Sequence, residues 1–365
     1  MSTYSPFSAK QLLPQEEKLE IAKHKSELFI GIPKEISYQE RRICLTPDAV
    51  SSLVSHGHRV MVECGAGKNA SFSDKDYSDA GAEVTHDTKK IFSCPIILKV
   101  EPPTLEEIDM MNMEAILISA IQLKTQKKEY FEAITKKKIT SLAFEFIKDS
   151  DGSYPAVKSL SEIAGTASVL IAAELMINNN DGKGLLFGNI TGVPPTEVVI
   201  LGAGTVAEYA VRTALSLGAN VKVFDNSITK LRRLQNTLNQ RIFTSTIHDK
   251  ALLKAIRRCD VAIGALRGKN RTPIVVTESM VDHMKKGAVI VDVSIDTGGC
   301  FETSEITTHE NPTFIKSNVI HYCVPNIPSR YSKTASISIS NIISPILIQI
   351  AEDGGIEAAI RCNKG

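Results

Sequence analysis

The sequence has little that would tie it to a membrane, a nucleic acid or a disulfide scaffold. Its 42 Lys+Arg nearly balance 41 Asp+Glu, leaving a net charge of +1. That balance gives no basis for attraction to nucleic acid or to an anionic lipid surface. No uninterrupted apolar run reaches the ~18 residues that would span a bilayer. The opening stretch, MSTYSPFSAKQLLPQEEKLEIAKHK, is polar and mixed in charge. It lacks the apolar centre of a secretory signal and reads as an N-terminal arm over residues 1–27 of a cytoplasmic protein. The seven cysteines are odd in number and contain no Cys-x-x-Cys. Neither a disulfide framework nor a structural zinc site is expected, and reduced, mostly buried thiols suit the cytoplasm. His56 and His58 are two apart, the wrong spacing for a helical metal pair, and read as turn or surface residues. There is no short-period repeat and no low-complexity segment.

What is present is a rhythm of short apolar strands and amphipathic helices. The chain has 365 residues, 43% hydrophobic and 23% charged, a composition that suits two soluble domains. Strands are expected in LFIGIPK, HRVMVECG, CPIILKV, AILISAI and ITSLAFEFI, with helices in TPDAVSSLVSHG, SDKDYSDAG, TLEEIDMM and KKEYFEAITKKK. SLSEIAGTASVLIAAELMI reads as a buried helix joining two domains, and LLFGNITGVPP as a loop. A second strand–helix series starts at TEVVILGAG and runs through ANVKVFD, CDVAIGAL, AVIVDVSI and VIHYCVP. The C-terminal SISISNIISPILIQIAEDGG reads as a helix interrupted near Pro345. The expected class is α/β, with two Rossmann-like domains, mainly parallel sheets and a cleft between them. The first domain spans residues 28–154, completed by 333–365; the second spans 155–332.

The densest motif is EVVILGAGTVAEYAVRTALSLGANVKVFD. A strand enters Gly202-Ala203-Gly204-Thr205-Val206-Ala207, a G-x-G-x-x-A turn that opens a helix. Gly202 permits the tight turn, Gly204 lets the backbone approach a pyrophosphate, and Ala207 keeps helix and strand close. The free N–H groups and dipole of the helix start favour the phosphates. Asp225 ends the next strand, where it is placed to bond the adenosine ribose. Its charge would repel a 2′-phosphate, and Asn226 follows it rather than Arg, so NAD is favoured over NADP. ECGAGKNA, with Gly65 and Gly67, has no apolar helix in the right place and reads as a structural loop.

Polar residues at strand ends are the other candidates. Arg41 and Arg42 stand before an apolar segment, and either could be a fork for a carboxylate or a surface charge. Lys99 ends a strand expected to be buried, where its charge needs a partner or water. Asp296 ends the apolar AVIVDVSI, beside Gly298-Gly299; it is a candidate for chemistry or a turn cap. Asp292, in the same strand, reads equally as structural. In ILISAIQLKTQ the strand turns polar at Gln122, an amide that cannot exchange a proton near neutral pH.

Taken in order, GIPKE…ERRICLTP, GHRV…ECGAG, IILKVEPP, DGSYPAVKSLSEIAG, GVPPTEVVILGAGTV, VDVSIDTGGCFE, TTHENPTF and HYCVPNIPS resemble the alanine dehydrogenase family, which includes the nucleotide-binding subunit of transhydrogenase. The resemblance covers about Phe29 to Cys362. It implies NAD-dependent, reversible oxidative deamination of L-alanine to pyruvate and ammonium, without a metal, in a homohexamer. It implies that Arg42 holds the substrate carboxylate, that Lys99 contacts its carboxylate and carbonyl side, and that Asp296 serves in proton transfer and orders water or ammonia. It implies cofactor contacts at Gly202, Gly204, Ala207, Asp225, Ser161, Leu266, Arg267, Val293, Ser294, Ile295, Asp296, Val324, Asn326 and Ile327. The sequence departs from the family at Gln122, where a histidine acid/base is usual, in a longer N-terminal arm, and in ending at Gly365 before a further C-terminal segment. With Gln122 the proton would fall to Lys99 or Asp296. Two other readings fit: an NAD(H)-binding transhydrogenase-like protein, and a dehydrogenase for another 2-oxo acid or an imine.

Overall fold

The computed structural model describes residues 26–355 except 124, 150, 179–181, 239 and 269. The expected arm as far as residue 25, and Cys362, fall outside the described residues. Strands β1 (Phe29–Ile32), β2 (Arg59–Glu63), β3 (Glu83–Thr85), β4 (Ile96–Leu98), β5 (Ile116–Ser119) and β6 (Thr140–Ala143) form one sheet in the order β3-β2-β1-β4-β5-β6. Every pairing in it is parallel. Strands β7 (Glu197–Leu201), β8 (Asn220–Phe224), β9 (Phe243–Ser245), β10 (Val261–Gly264), β11 (Val289–Asp292), β12 (Thr313–Lys316) and β13 (Val319–Tyr322) form the other, in the order β12-β13-β11-β10-β7-β8-β9. Only β12 runs antiparallel, against β13. The central strands are apolar on both faces, as in Ile96–Leu98 and Val261–Gly264, because helices cover both sides of a parallel sheet.

Helices α1 (Pro47–Ser55), α2 (Asp74–Asp79), α3 (Thr88–Phe92), α4 (Leu105–Met110) and α5 (Lys128–Lys136) connect the first strands. Helix α6 (Pro155–Leu175) leads to the second sheet, which carries α7 (Thr205–Ser216), α8 (Ile228–Thr237), α9 (Asp249–Ile256) and α10 (Glu278–Val281). The described chain ends with α11 (Ile327–Arg330) and α12 (Ser332–Glu352). The helix starts follow side-chain chemistry. Thr46 caps α1 with Pro47 at its first turn, and Thr104 and Glu107 form a reciprocal capping box on α4.

Each sheet reverses its strand order once, between β1 and β4 and between β7 and β10. Chains leave these neighbouring strands in opposite directions and open a crevice at their carboxyl ends, where ligands of such sheets bind. Lys99 follows β4, and the Gly202 turn follows β7.

The structure departs from the sequence expectations at several points. Helix α12 runs unbroken through Pro345. Pro345 and Asn341, whose carbonyl loses its helical partner, both lie on the exposed side where water can serve it. The opposite side buries Ile339, Ile343, Leu347 and Ala351 in the core of the first sheet. Both α6 and α12 are long and apolar enough to cross a membrane by length and composition. Counting uninterrupted apolar runs missed this because small Ser, Thr and Gly residues are scattered through both. Here both are packed against protein cores. The strand expected through Ile147 stops at Ala143 and turns into a single 3-10 turn, Phe144–Phe146. His58 is buried and accepts from the Leu28 N–H, unlike the exposed His56.

Helix α6 lies close against α7 at Gly165. A Cβ there would stand 2.3 Å from the Val206 carbonyl oxygen and 2.9 Å from the Tyr209 Cβ. Backbone cannot yield as a flexible side chain would, so Gly165→Ala must push α6 away from the nucleotide-type turn. The expected cost is ~1–3 kcal/mol, the range for overpacking, seen as a lower thermal midpoint with weakened dinucleotide binding. An unchanged midpoint would mean that the two helices are not packed this closely.

Candidate active site

Arg42 lies in the loop between β1 and α1 and is buried. Its Nε donates to Glu40 Oε1 at 2.7 Å and its Nη2 to Glu40 Oε2 at 2.6 Å. A second carboxylate, Glu101 Oε1, is 3.4 Å from Nη2. Nη1 has no hydrogen-bond partner among the described residues. Burial works against charge in both members of the Arg42–Glu40 pair, but their attraction is stronger. It holds the Glu40 carboxyl below the ordinary range and raises Arg42.

The loop carrying Arg42 is held from the far end of the chain. Ser329 Oγ accepts from the Arg41 N–H and donates to the Gln39 carbonyl. Ser336 and Ser340, one turn apart on α12, accept from the Ile43 and Thr46 N–H groups at 2.9 and 3.0 Å. The serines of SISIS, unremarkable in sequence, supply acceptors to a buried loop whose N–H groups would otherwise be orphaned.

Lys99 is 1% exposed. Its Nζ donates to Glu107 Oε1 at 2.7 Å and lies 3.4 Å from Glu35 Oε2. Burial alone would discharge the lysine, but Glu35 and Glu107 more than offset it and raise its pKa. Glu35 itself accepts from the Val100 N–H at 2.6 Å. Burial pushes its carboxyl up to about 7 against the pull of Lys99.

Gln122 follows β5 in the left-handed region, with φ 51°. Glu145 Oε1 accepts from the N–H groups of both Ile121 and Gln122 and holds this turn. The Gln122 side chain is exposed, and its Nε2 donates to Glu101 Oε2 at 2.6 Å. Through Glu101 it reaches Arg42, and among the described residues it bonds neither Lys99 nor Asp296.

Asp296 sits in the 3-10 turn Val293–Thr297 after β11. Its side chain is open to solvent, and Oδ1 accepts from the Asn326 N–H at 3.2 Å. Surrounding protein nevertheless desolvates the carboxyl and raises its pKa, with Arg42 and Arg267 opposing. Asn326, left-handed at φ 53°, also donates through Nδ2 to Glu40 Oε2 at 2.9 Å. One asparagine therefore links Asp296 of the second sheet to the Glu40–Arg42 pair of the first. Asp292 is structural: its buried carboxylate accepts from Ser294 N, Cys300 N and Ser304 Oγ.

The nucleotide-type turn has the features that a dinucleotide needs. At Gly202 φ is +119°, and a Cβ would meet the Ala265 carbonyl oxygen at 2.5 Å. At Gly204 a Cβ would meet nothing within 4 Å, and no side chain caps α7. Open space thus lies against unoccupied helix N–H groups. Asp225 is buried and accepts from Ala203 N and Ser227 N at 2.8 and 2.7 Å. Two lone-pair sites of its carboxylate remain for hydroxyl groups. Leu266 and Arg267 follow β10, Val293–Asp296 follow β11, and Val324, Asn326 and Ile327 follow β13, all at the same edge of this sheet. Ala207, Val324 and Ile327 have core side chains. Ser161, on α6, donates back to the Val157 carbonyl.

Gln122, Asp296 and the two cations stand out in the sequence, whereas the acids Glu35, Glu40, Glu101, Glu107 and Glu145 do not. The only available signal was the need of a buried lysine and arginine for partners.

Two expected outcomes follow from the charges. Glu40→Ala leaves a buried guanidinium without its main partner. Chemical denaturation should show a loss of ~3–5 kcal/mol; a loss under 1 kcal/mol would mean that Arg42 is not desolvated. Glu35 binds its proton more tightly folded than unfolded. Its contribution is full below about 4.5 and is lost as pH rises through about 7. Glu35→Gln should therefore flatten the fall of the melting temperature between those pH values. The effect is on the order of 3 kcal/mol, and parallel curves for the two proteins would refute it.

Comparison with known proteins agrees with this geometry. The alanine dehydrogenase/PNT N-terminal domain matches residues 31–164, and the alanine dehydrogenase/PNT C-terminal domain matches residues 168–364. The alanine dehydrogenase of Mycolicibacterium smegmatis is 37% identical over 329 residues, covering 90% of this chain and 88% of that protein. That of Staphylococcus epidermidis is 38% identical over 331 residues, covering 90% and 89%. A solved L-alanine dehydrogenase superposes with a TM-score of 0.84 at 36% identity, covering 90% of this chain and 91% of that one. The transhydrogenase structure from Sinorhizobium meliloti gives 0.77 at 26% identity, covering 89% and 94%. The chain belongs to the alanine dehydrogenase/PNT family.

Proposed function

We propose that this protein is an NAD-dependent L-alanine dehydrogenase. It converts L-alanine, NAD⁺ and water to pyruvate, ammonium and NADH, reversibly, in the cleft between the sheets. The observation that carries the reading is the buried Arg42 of the first sheet, joined through Glu40 and Asn326 to Asp296 at the second, with a second buried cation, Lys99, held by Glu107 and Glu35 after β4 of the first sheet. The amino-acid dehydrogenases among its relatives support it.

Arg42 binds the carboxylate of the substrate through Nη1, the end of the fork that Glu40 leaves unbonded. Lys99 donates to Glu107 and stands 3.4 Å from Glu35, and its remaining ammonium hydrogens serve the carbonyl side. Asp296 keeps Oδ2 for water or ammonia while Asn326 fixes Oδ1. Gln122 orients a carbonyl oxygen without exchanging its own proton.

The G-x-G-x-x-A turn and the start of α7 hold the pyrophosphate, and Asp225 holds the ribose and disfavours a 2′-phosphate. Ser161, Leu266, Arg267, Val293–Asp296, Val324, Asn326 and Ile327 complete the cofactor site. When bound, the nicotinamide supplies the acceptor for the Cα hydride.

The substrate domain comprises residues 28–154 together with 333–365, because α12 contributes Ile339, Ile343 and Leu347 to its core. The nucleotide domain comprises 155–332. The assembly is a homohexamer in the cytoplasm. Exposed apolar residues between α6 and β7, Leu186 at 70%, Ile190 at 52% and Val193 at 55%, support self-association.

The test is NADH oxidation followed by absorbance. Oxidation should require both pyruvate and ammonium and be slower with NADPH. Arg42→Lys, which removes the planar fork, should raise KM for pyruvate at least ~10-fold, a loss of about 1.4 kcal/mol. If protein that binds NADH oxidises none with pyruvate and ammonium, the alanine reading fails. Turnover with a different 2-oxo acid or amine would then assign another substrate, and binding without turnover would favour a transhydrogenase-like role.

A further inference from the structure

Residue 122 reaches toward the cleft but has no proton to exchange. The carboxyl that its amide touches does. We propose that Glu101 is the general acid/base of the reaction, acting at the carbonyl oxygen of the substrate from its place between Gln122 and Arg42. This rests on the alanine dehydrogenase reading and assigns a catalytic residue within it.

Geometry singles out Glu101 among the acids around the two cations. Oε2 accepts from Gln122 Nε2 at 2.6 Å, and Oε1 is 3.4 Å from Arg42 Nη2. A substrate carboxylate seated on Arg42 therefore sets its neighbouring carbonyl beside this group. The Glu101 side chain is 19% exposed, whereas those of Glu40, Glu107 and Glu35 are 1%, 5% and 7% exposed. Glu40 is committed to Arg42 and Asn326, and Glu107 to Lys99 and the Thr104 N–H; Glu35 accepts from the Val100 N–H through Oε1, while its Oε2 stands 3.4 Å from Lys99 without a hydrogen bond and is enclosed. Glu145 accepts from the Ile121 and Gln122 N–H groups through Oε1, and its Oε2 is buried with no hydrogen bond to Arg42 or Lys99.

The charges around Glu101 suit the task. Burial and then Glu40 raise its carboxyl, Arg42 opposes them, and the Gln122 amide lowers it slightly, leaving it at about 7. A group poised there has both protonation states available at working pH.

In the amination direction, ammonia forms its C–N bond to the pyruvate carbonyl carbon. The C–O π pair takes the Glu101 proton to become a hydroxyl. In deamination the same hydroxyl returns its proton to the Glu101 carboxylate as C=O re-forms and the C–N bond breaks. Ammonia leaves and takes a proton from solvent. No electrons leave the substrate in either step. Amination needs the acid form and should weaken as pH rises through about 7; deamination needs the base form and should strengthen.

The experiment compares wild type, Glu101→Gln, Gln122→His and the double variant in both directions across pH 5–10. NADH binding is read by its fluorescence, against a protein that has no tryptophan. Glu101→Gln should lose ~10²-fold or more in kcat, keep NADH binding, and lose the inflection near 7. Adding Gln122→His to Glu101→Gln should restore part of the rate with an inflection near ~6.5, where histidine titrates. Wild-type kcat in Glu101→Gln overturns the proposal. So does a slowed Glu101→Gln that keeps the inflection, or one that Gln122→His fails to rescue, since a structural role predicts both. A wild type inactive with pyruvate and ammonium defeats the dehydrogenase reading instead.

Discussion

The buried pair of Arg42 and Glu40 is the constraint around which this site is arranged. A guanidinium removed from water must be matched by anions held in good geometry. Glu40 supplies two parallel bonds and thereby fixes the guanidinium plane, leaving one end of the fork for a ligand. The pair is also one of the places where the two halves of the chain meet. Asn326, at the end of the second sheet, bonds Glu40 with its side chain and Asp296 with its backbone. Any motion that opens the cleft must stretch this connection. The electrostatics of substrate binding and the relative placement of the sheets therefore depend on the same few bonds.

The fold supplies that pair with rigid support from distant sequence. Two sheets with one reversal each place their crevices at carboxyl ends. The loop after β1 is too irregular to satisfy its own N–H groups. Ser329, Ser336 and Ser340, nearly three hundred residues further on, do so instead. This explains why α12 belongs with the first sheet although it follows the second. It also explains why β-branched residues and a proline are tolerated in α12: its length is set by what it packs against and bonds, with local propensity overridden.

The local features were legible in the sequence. The strands, the G-x-G-x-x-A turn and Asp225 each depend on residues close together in the chain, and the apolar periodicity gave both sheets. Short edge elements such as β3, β9 and β12 were not legible, because three or four half-exposed residues carry almost no pattern. Nor were the acids of the site. Glu35 and Glu101 stand in charged, surface-like stretches, and only the tertiary fold brings them to Lys99 and Arg42; Glu40 and Glu107 lie nearer their partners in sequence, but nothing local marks those pairs as buried. Gln122 could be seen as chemically mute from its type alone. That its amide meets a carboxyl is a property of the turn held by Glu145, which no spacing rule encodes. Pro345 misled for the converse reason: its local effect is strong, but the face it disturbs is open to water.

The charge balance of the pocket leads to one last step. Two cations are surrounded by Glu35, Glu40, Glu101 and Glu107, with Asp296 on the opposite side. Were all five ionised, the pocket would carry a net negative charge and repel the carboxylate it is built to bind. The protein avoids this by burial. Glu40 stays ionised because Arg42 holds it, while Glu35 and Glu101 are pushed to about 7 and Asp296 is raised. Protons thus neutralise part of the excess in the neutral range. A crowd of acids that would be a defect in a site built only for binding becomes a reserve of protons next to the atoms that need them. A glutamine at position 122 is compatible with proton chemistry on those terms, because the ionisable group lies one bond further back.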